Sequence, residues 1–99
     1  MMKPLQEYDF FRRLSDLPFV EKIILYGSRA RGDHAERSDI DIALVCPGAT
    51  NSDWFNVLGI VDQADTLLKI DCVRLDALSL ESSLRKSIES QGIIAYQRK

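Results

Sequence analysis

Apolar residues recur along the chain with two periods, and their alternation divides it into short elements. Between Pro4 and about Ser15, Leu5, Tyr8, Phe11 and Leu14 follow helical spacing. A proline opens that first turn and Pro18 marks the stop, so the pattern predicts a helix. Lys22-Ile-Ile-Leu-Tyr26 is a short apolar run halted by Gly27 and predicts a strand. Residues 28–37 are polar, include Gly32, and have room only for a short helix and a turn. Asp39 to Cys46 reads as a second strand, closed by Pro47-Gly48. Asn51 to Leu68 is the clearest amphipathic helix, with Trp54, Val57, Leu58, Val61, Ala64 and Leu68 on one face. Thr50, Asn51 and Ser52 each offer an N-cap for it. Lys69 to Leu75 reads as a third strand, and Asp76 just past it as a helix N-cap. Leu80, Leu84 and Ile88 stripe a last helix ending at Gly92, a natural C′ residue. Ile93 to Tyr96 closes as a fourth strand.

The order αβ(α)βαβαβ implies one sheet of about four strands with helices packed against it. Residues 1–99 contain no repeat, linker or low-complexity stretch, and are expected to form a single whole domain. A chain of this length buries roughly 65% of its unfolded surface, enough for one core and too little for two domains with a cleft. Apolar content of 45% and a net charge of −2 argue against disorder. With 13 basic against 15 acidic residues, nothing supports tight nonspecific binding to nucleic acid. No apolar run is long enough to span a membrane and the start lacks an apolar signal core, so a cytoplasmic location with no membrane partner is expected. Cys46 and Cys72 make neither a disulfide framework nor a zinc cluster, and both read as small buried hydrophobes. Phe10, Phe11 and Phe19 add more aromatic surface near the N-terminus than one helix face needs. Core packing explains most of it, and a partner-contact surface is the alternative.

Aspartate outnumbers glutamate ten to five, which directs attention to where these short carboxylates sit. Asp39 and Asp41 are two apart on a predicted strand, so their side chains leave one face, roughly 6–7 Å apart. Ile40, Ile42, Leu44 and Cys46 leave the other and define the buried side. Two carboxylates this close repel and raise each other's pKa unless a cation lies between them. Mg²⁺ meets that need, since it takes one or two protein carboxylates together with phosphate oxygens. An isolated Asp-x-Asp is by itself only an acidic strand face.

The preceding strand changes the balance. Gly27 permits a sharp turn and a close ligand approach, and Ser28 begins a helical turn whose N–H groups and hydroxyl suit a phosphate. Arg29, and with it Arg31, can place fixed positive charge beside it, while Arg29, Arg31 and Arg37 read equally well as solvated loop residues. A phosphate cradle thus ends one strand and a metal-binding pair begins the next. Gly27 to Gly32 has P-loop spacing, but Asp33 stands where that motif needs lysine. His34 is the lone histidine, and with no Gly-x-Ser-x-Gly a serine hydrolase is unsupported; His34 reads as a solvated side chain. Asp71 is the candidate third acid. Its parity opposes Ile70 and Cys72, so it shares the face of Asp39 and Asp41 if the two strands are neighbours. An exposed position on an edge strand is the alternative.

Gly27-Ser28, ten residues, then Asp39-Ile40-Asp41 resembles the signature of the minimal nucleotidyltransferase family, within the DNA polymerase β-like nucleotidyltransferase superfamily. The longer string GSRARGDHAERSDIDIAL is similar to its prokaryotic members, and KIDCVRLD and Gly92-Ile-Ile-Ala-Tyr96 extend the likeness over essentially the whole chain. The resemblance implies an α/β (α+β) nucleotidyltransferase fold with a mixed sheet. It implies transfer of a nucleoside monophosphate from an NTP, with ATP as substrate and two Mg²⁺ ions as cofactors. Asp39 and Asp41 would ligate both ions and Asp71 the catalytic one, Asp71 also orienting or deprotonating the acceptor hydroxyl. Gly27 and Ser28 would hold the β and γ phosphates, with Arg29 assisting. Stand-alone members of the family are paired with a small helical HEPN toxin, which they adenylylate on tyrosine as its antitoxin. That partner, with room for a homo- or hetero-oligomer, is the leading expectation. The rivals are a non-catalytic module that binds nucleotide while neutralising its partner, and transfer to a small-molecule hydroxyl.

Overall fold

Strand residues of opposite parity pack into two separate clusters, and this division decides the architecture. The computed structural model describes residues 3–32 and 38–99, so the expectations for His34 and Arg37 lie outside the described residues. A 3₁₀ turn at Leu5–Glu7 leads into α1 (Asp9–Ser15). Then follow β1 (Lys22–Tyr26), α2 (Ser28–Arg31), β2 (Ile40–Val45), α3 (Asn51–Asp62) and β3 (Ile70–Arg74). A second 3₁₀ turn at Leu75–Ala77 precedes α4 (Ser83–Gln91) and β4 (Ile93–Gln97). The sheet order is β3-β2-β1-β4, with β2 and β3 parallel and the other two pairs antiparallel. The mixed four-stranded α/β sheet expected from the sequence is therefore present.

On one face Ile23, Ile40, Ile42, Leu44 and Cys46 are buried against Phe10, Phe11 and Leu14 of α1 and Val57 and Ile60 of α3. The predicted buried side of β2 is the observed one, and the aromatic residues Tyr8, Phe10 and Phe11 belong to the core, not to a free surface. On the other face Ile24 and Ala43 pack against Leu75 and Ile88, with Val45, Val73 and Leu78 around them. Burial pushes the Cys46 thiol up to about 11 and the Cys72 thiol up to about 12, so both act as small hydrophobes. Among the described residues no helix is long and apolar enough to cross a membrane.

Several element ends differ from the sequence expectation for identifiable reasons. The first helix starts at Asp9 because the Asp65 carboxylate accepts from the Asp9 and Phe10 amides at 3.1 and 3.3 Å, capping α1 from far along the chain. α3 opens on the capping box of Thr50 and Asp53. It stops at Asp62, short of Leu68, yet Ala64 and Leu68 still reach the same core from the following segment. Leu80 lies outside α4 and is exposed, and Ile88 alone of the expected stripe is buried. Ser82 caps α4, its hydroxyl accepting from the Arg85 amide. Asp76 is not a helix cap. Its carboxylate accepts from the Cys46 amide at 2.8 Å and from Arg74 Nε at 3.0 Å. Gly92 ends α4 with an extended backbone, not the left-handed one expected of C′. A Cβ there would collide with the Ile88 carbonyl and the Ile24 side chain, so close approach is its reason to be glycine.

Candidate active site

β1 and β2 run antiparallel, and β2 and β3 run parallel. Their registers set Tyr26 opposite Asp41 and Asp41 opposite Asp71, in one row across three strands. Neighbouring backbones in such a row are about 4.8 Å apart, and all three side chains stand on the same face. Further along that face the residues are Ala43, Val45 and Val73, roofed by the Leu75 turn and α4. The acids therefore occupy the open end of a face that is otherwise covered, not the wholly open face that an acidic strand suggests.

Gly27 joins the row to the turn. Its backbone, at φ 75° and ψ −154°, lies in a region that residues with a Cβ rarely adopt. A Cβ built there would overlap the Asp41 carboxylate oxygen, so the glycine backbone and that oxygen share one space. α2 starts at Ser28 immediately after. The Ala30 and Arg31 amides donate to the Gly27 carbonyl at 3.1 and 3.2 Å, which folds the turn over the end of β1.

The Arg29 guanidinium reaches across to β2. Its Nη2 donates to the Ser38 carbonyl at 2.8 Å and its Nε to the Asp39 carbonyl at 3.2 Å. Arg29 thus fastens the phosphate-type turn to the start of the acidic strand, a contact that local spacing did not reveal. Arg31 is the last residue of α2 and exposed.

Asp39 precedes β2 and is exposed, while Asp41 and Asp71 are partly buried. The Asp41 pKa is raised, first by burial, then by a hydrogen bond with the Asp71 carboxyl and by the charges of Asp71 and Asp39; Lys69 opposes the shift. Lys69 Nζ stands 3.7 Å from Asp71 Oδ1. Burial and the charges of Asp41 and Asp71 push the Tyr26 phenol up to about 12, so it stays protonated at neutral pH. Tyr26 and Lys69 were not singled out from the sequence. The parity that puts Tyr26 on the face of Asp41 was readable there, one residue before Gly27.

Of the three predicted acids, Asp41 and Asp71 are set opposite each other in register, and the charge of Asp39 is felt at Asp41. Among the described residues no three acidic, histidine or cysteine side chains are grouped so that they could hold a metal ion. The donor set nonetheless fits a hard divalent cation. Asp71 and Asp39 beside Asp41 raise its pKa, a conflict that such a cation relieves. Mg²⁺ is commonly held by one or two carboxylates, with phosphate oxygens and water completing the shell. The absence of a Cβ at Gly27 is what lets the Asp41 oxygen lie directly against the start of the Ser28 turn.

Comparison with known proteins gives three kinds of likeness. A family model described as "Polymerase beta, Nucleotidyltransferase" matches residues 11–99. MJ0604 of Methanocaldococcus jannaschii, named a protein adenylyltransferase, is 65% identical over 26 residues, which is 26% of this chain and 26% of that relative. The match thus spans about a quarter of the curated relative. Among solved structures, a toxin–antitoxin bound to AMP-PNP has a TM-score of 0.63 at 22% identity, covering 92% of this chain and 73% of that one. A Sulfolobus solfataricus protein described as a nucleotidyltransferase gives 0.58 at 23% identity, covering 91% and 76%. A mutant of the toxin–antitoxin MntA–HpeT gives 0.59 at 20% identity, covering 91% and 69%. At these identities the structural likeness is one of fold.

Proposed function

Because the chain belongs to the polymerase beta nucleotidyltransferase family, we propose that it transfers AMP from ATP to a protein hydroxyl, most simply a tyrosine of a HEPN toxin that it serves as antitoxin. The observation that carries this reading is the Asp41 carboxylate wedged between the backbone of Gly27 and its in-register neighbour Asp71. A phosphate-type turn and an acid pair therefore share one small volume at the open end of the sheet. The names of the relatives point the same way: one is a protein adenylyltransferase, and two are toxin–antitoxin structures, one with AMP-PNP.

In this reading Gly27 and Ser28 hold the β and γ phosphates, with Arg29 keeping the turn against β2. Asp39, Asp41 and Asp71 hold two Mg²⁺ ions. Bound Mg²⁺ supplies the positive charge that neutralises the triphosphate and the pentavalent transition state. Asp71 orients the acceptor hydroxyl and takes its proton. The hydroxyl oxygen bonds to the α-phosphorus as the bond to the bridging oxygen breaks, and pyrophosphate departs from the Gly27 side. The chemistry asks little else of the protein, because phosphoryl-type transfer is mostly positioning and charge stabilisation. The protein works in the cytoplasm, where ATP and Mg²⁺ are abundant.

The test is co-expression with the HEPN toxin followed by intact mass measurement. Transfer adds one or more AMP units to the toxin, and Asp39→Asn with Asp41→Asn abolishes both the added mass and the protection of cells. If that double variant protects as well as the wild type, neutralisation does not depend on catalysis and the reading fails.

A further inference from the structure

Resting on the reading that Asp39, Asp41 and Asp71 hold divalent ions, we infer that Lys69 is a positioning residue acting through Asp71. Its ammonium keeps a bare divalent cation off the acids, so that metal enters together with nucleotide.

Lys69 precedes β3 by one residue, yet the parallel ladder already includes it. The Ile40 amide donates to the Lys69 carbonyl at 2.9 Å, one step before Ile40 pairs with Ile70. Side chains alternate along such a ladder, so Lys69 leaves the face that carries Asp71 and Asp41. Asp39 and Lys69 each stand one residue before that isoleucine pair, and both line one depression at this corner. Asp41 and Asp71 stand one residue after it. The two strands therefore set a single lysine into a block of acids.

The ammonium stands 3.7 Å from Asp71 Oδ1. Its charge also opposes the rise in the Asp41 pKa, so it is felt at both facing carboxylates. As a stabilising contact this pair is worth little, because the Lys69 side chain is 69% exposed and that of Asp71 43%. Weak attachment suits a counter-charge that must leave. Lysine carries a compact charge on a flexible stem, and rotation of that stem into solvent frees Asp71 without moving the backbone. A divalent cation arriving alone has to displace the ammonium or bear its repulsion. A cation carried on a triphosphate arrives with net negative charge, which the same ammonium attracts. Lys69 thus separates the two forms of metal by the sign of the charge that accompanies them.

The experiment uses the full chain without toxin, as wild type, Lys69→Met and Lys69→Arg. Electron paramagnetic resonance titration gives the Kd for Mn²⁺ alone, and calorimetry gives the Kd for Mn²⁺ with α,β-methylene-ATP. Removing a unit charge beside an exposed carboxylate should tighten Mn²⁺ alone about threefold to tenfold in Lys69→Met. The nucleotide complex should bind that variant no more tightly than the wild type. Its Tm in EDTA should fall by about 1–4 °C, as loss of a weak ion pair implies. Lys69→Arg keeps the charge and should return each Kd to within about twofold of the wild type. A Lys69→Met protein that is no tighter for Mn²⁺ alone overturns the inference, and so does equal tightening of Mn²⁺ alone and of the nucleotide complex. Wild-type protein that binds Mn²⁺ neither alone nor with nucleotide brings down the metal site of the proposed function, and this inference with it. The expected Kd shifts without AMP transfer to the toxin would bring down the proposed function and leave the role of Lys69 standing.

Discussion

Replacing Asp41 by asparagine should make the metal-free protein more stable while removing its activity. Asp41 and Asp71 face each other in register, and Asp41 titrates high through burial and the facing carboxyl. Two unit charges at 4 Å repel by about 4 kcal/mol at an effective dielectric of 20 and by about 1 kcal/mol in water. The Asp71 side chain is 43% exposed, which moves the pair toward the lower figure. Asparagine is nearly isosteric and keeps the oxygen that lies against Gly27, so about 1 kcal/mol of repulsion is relieved at little steric cost. For a domain of this size that corresponds to a rise in Tm of about 4–8 °C. The sign with pH is definite. A carboxyl whose folded pKa is raised favours the folded state at pH below its unfolded value, and that advantage is lost as pH climbs through the folded pKa. Thermal melts in EDTA across pH 4 to 8 should show this loss in the wild type and not in Asp41→Asn. Adding Mg·ATP should then raise the wild-type Tm, because a ligand bound only by the folded state stabilises it by mass action, and should leave the variant largely unmoved. An Asp41→Asn protein that melts at or below the wild-type temperature in EDTA would refute the reasoning, because it would mean that the carboxylate is already well compensated.

Gly27→Ala should cost about 1–3 kcal/mol from backbone strain alone, and more from collision with Asp41, read as a lower urea midpoint together with weakened Mg·ATP binding. Asp76→Ala leaves the Cys46 amide and Arg74 Nε without their carboxylate, and should lower stability by about 2–4 kcal/mol in urea titration. Asp65 has a lowered pKa, first through its hydrogen bond from the Asp9 amide, so its support of α1 is present above the unfolded value and lost as pH falls through the folded one. Asp65→Ala should therefore flatten the acid limb of the Tm profile and loosen amide exchange in α1.

The parts of the molecule that were legible in the sequence are those set by period and punctuation. All four strands lie within a residue or two of the expected bounds, because apolar runs bounded by Gly27, Pro47-Gly48 and Gly92 leave little choice. Strand parity alone assigned Ile40, Ile42 and Leu44 to the core and Asp41 to the other face, and both assignments hold. Asp71 beside Asp41 followed from parity together with the adjacency of β2 and β3. What local pattern could not supply is a partner distant along the chain. Asp65 caps a helix more than fifty residues earlier, and Asp76 holds an amide thirty residues away. A short carboxylate after a strand looks the same whether it caps its own helix or another element, so Asp76 was read as a cap. Arg29 is a similar case, since its guanidinium reaches backbone carbonyls nine and ten residues on, contacts that local spacing did not reveal. α4 was drawn too long because Leu80 continues the spacing of Leu84 and Ile88, although only one turn of that stripe meets the sheet.

The acid pair depends on those distant partners. A side chain in a strand changes face with every one-residue slip of register. A slip of β3 against β2 would bring Ile70 or Cys72 beside Asp41 and turn Asp71 into the core. At the acid end the facing carboxylates oppose this register, and the Ile40 amide, which donates to the Lys69 carbonyl at 2.9 Å, works against their repulsion. Further resistance comes from the opposite end of the same two strands, where Arg74 Nη2 donates to the Cys46 and Ala49 carbonyls at 2.9 and 3.1 Å while Asp76 grips the Cys46 amide. These bonds tie the last residue of β3 to the segment leaving β2, and they are satisfied in one register only. The repulsion between Asp41 and Asp71 is thus held in place from across the sheet. It follows that Asp76→Ala should lose AMP transfer more steeply with temperature than it loses helix content by circular dichroism. If activity and helix content decline together, register is not what the Arg74–Asp76 pair protects.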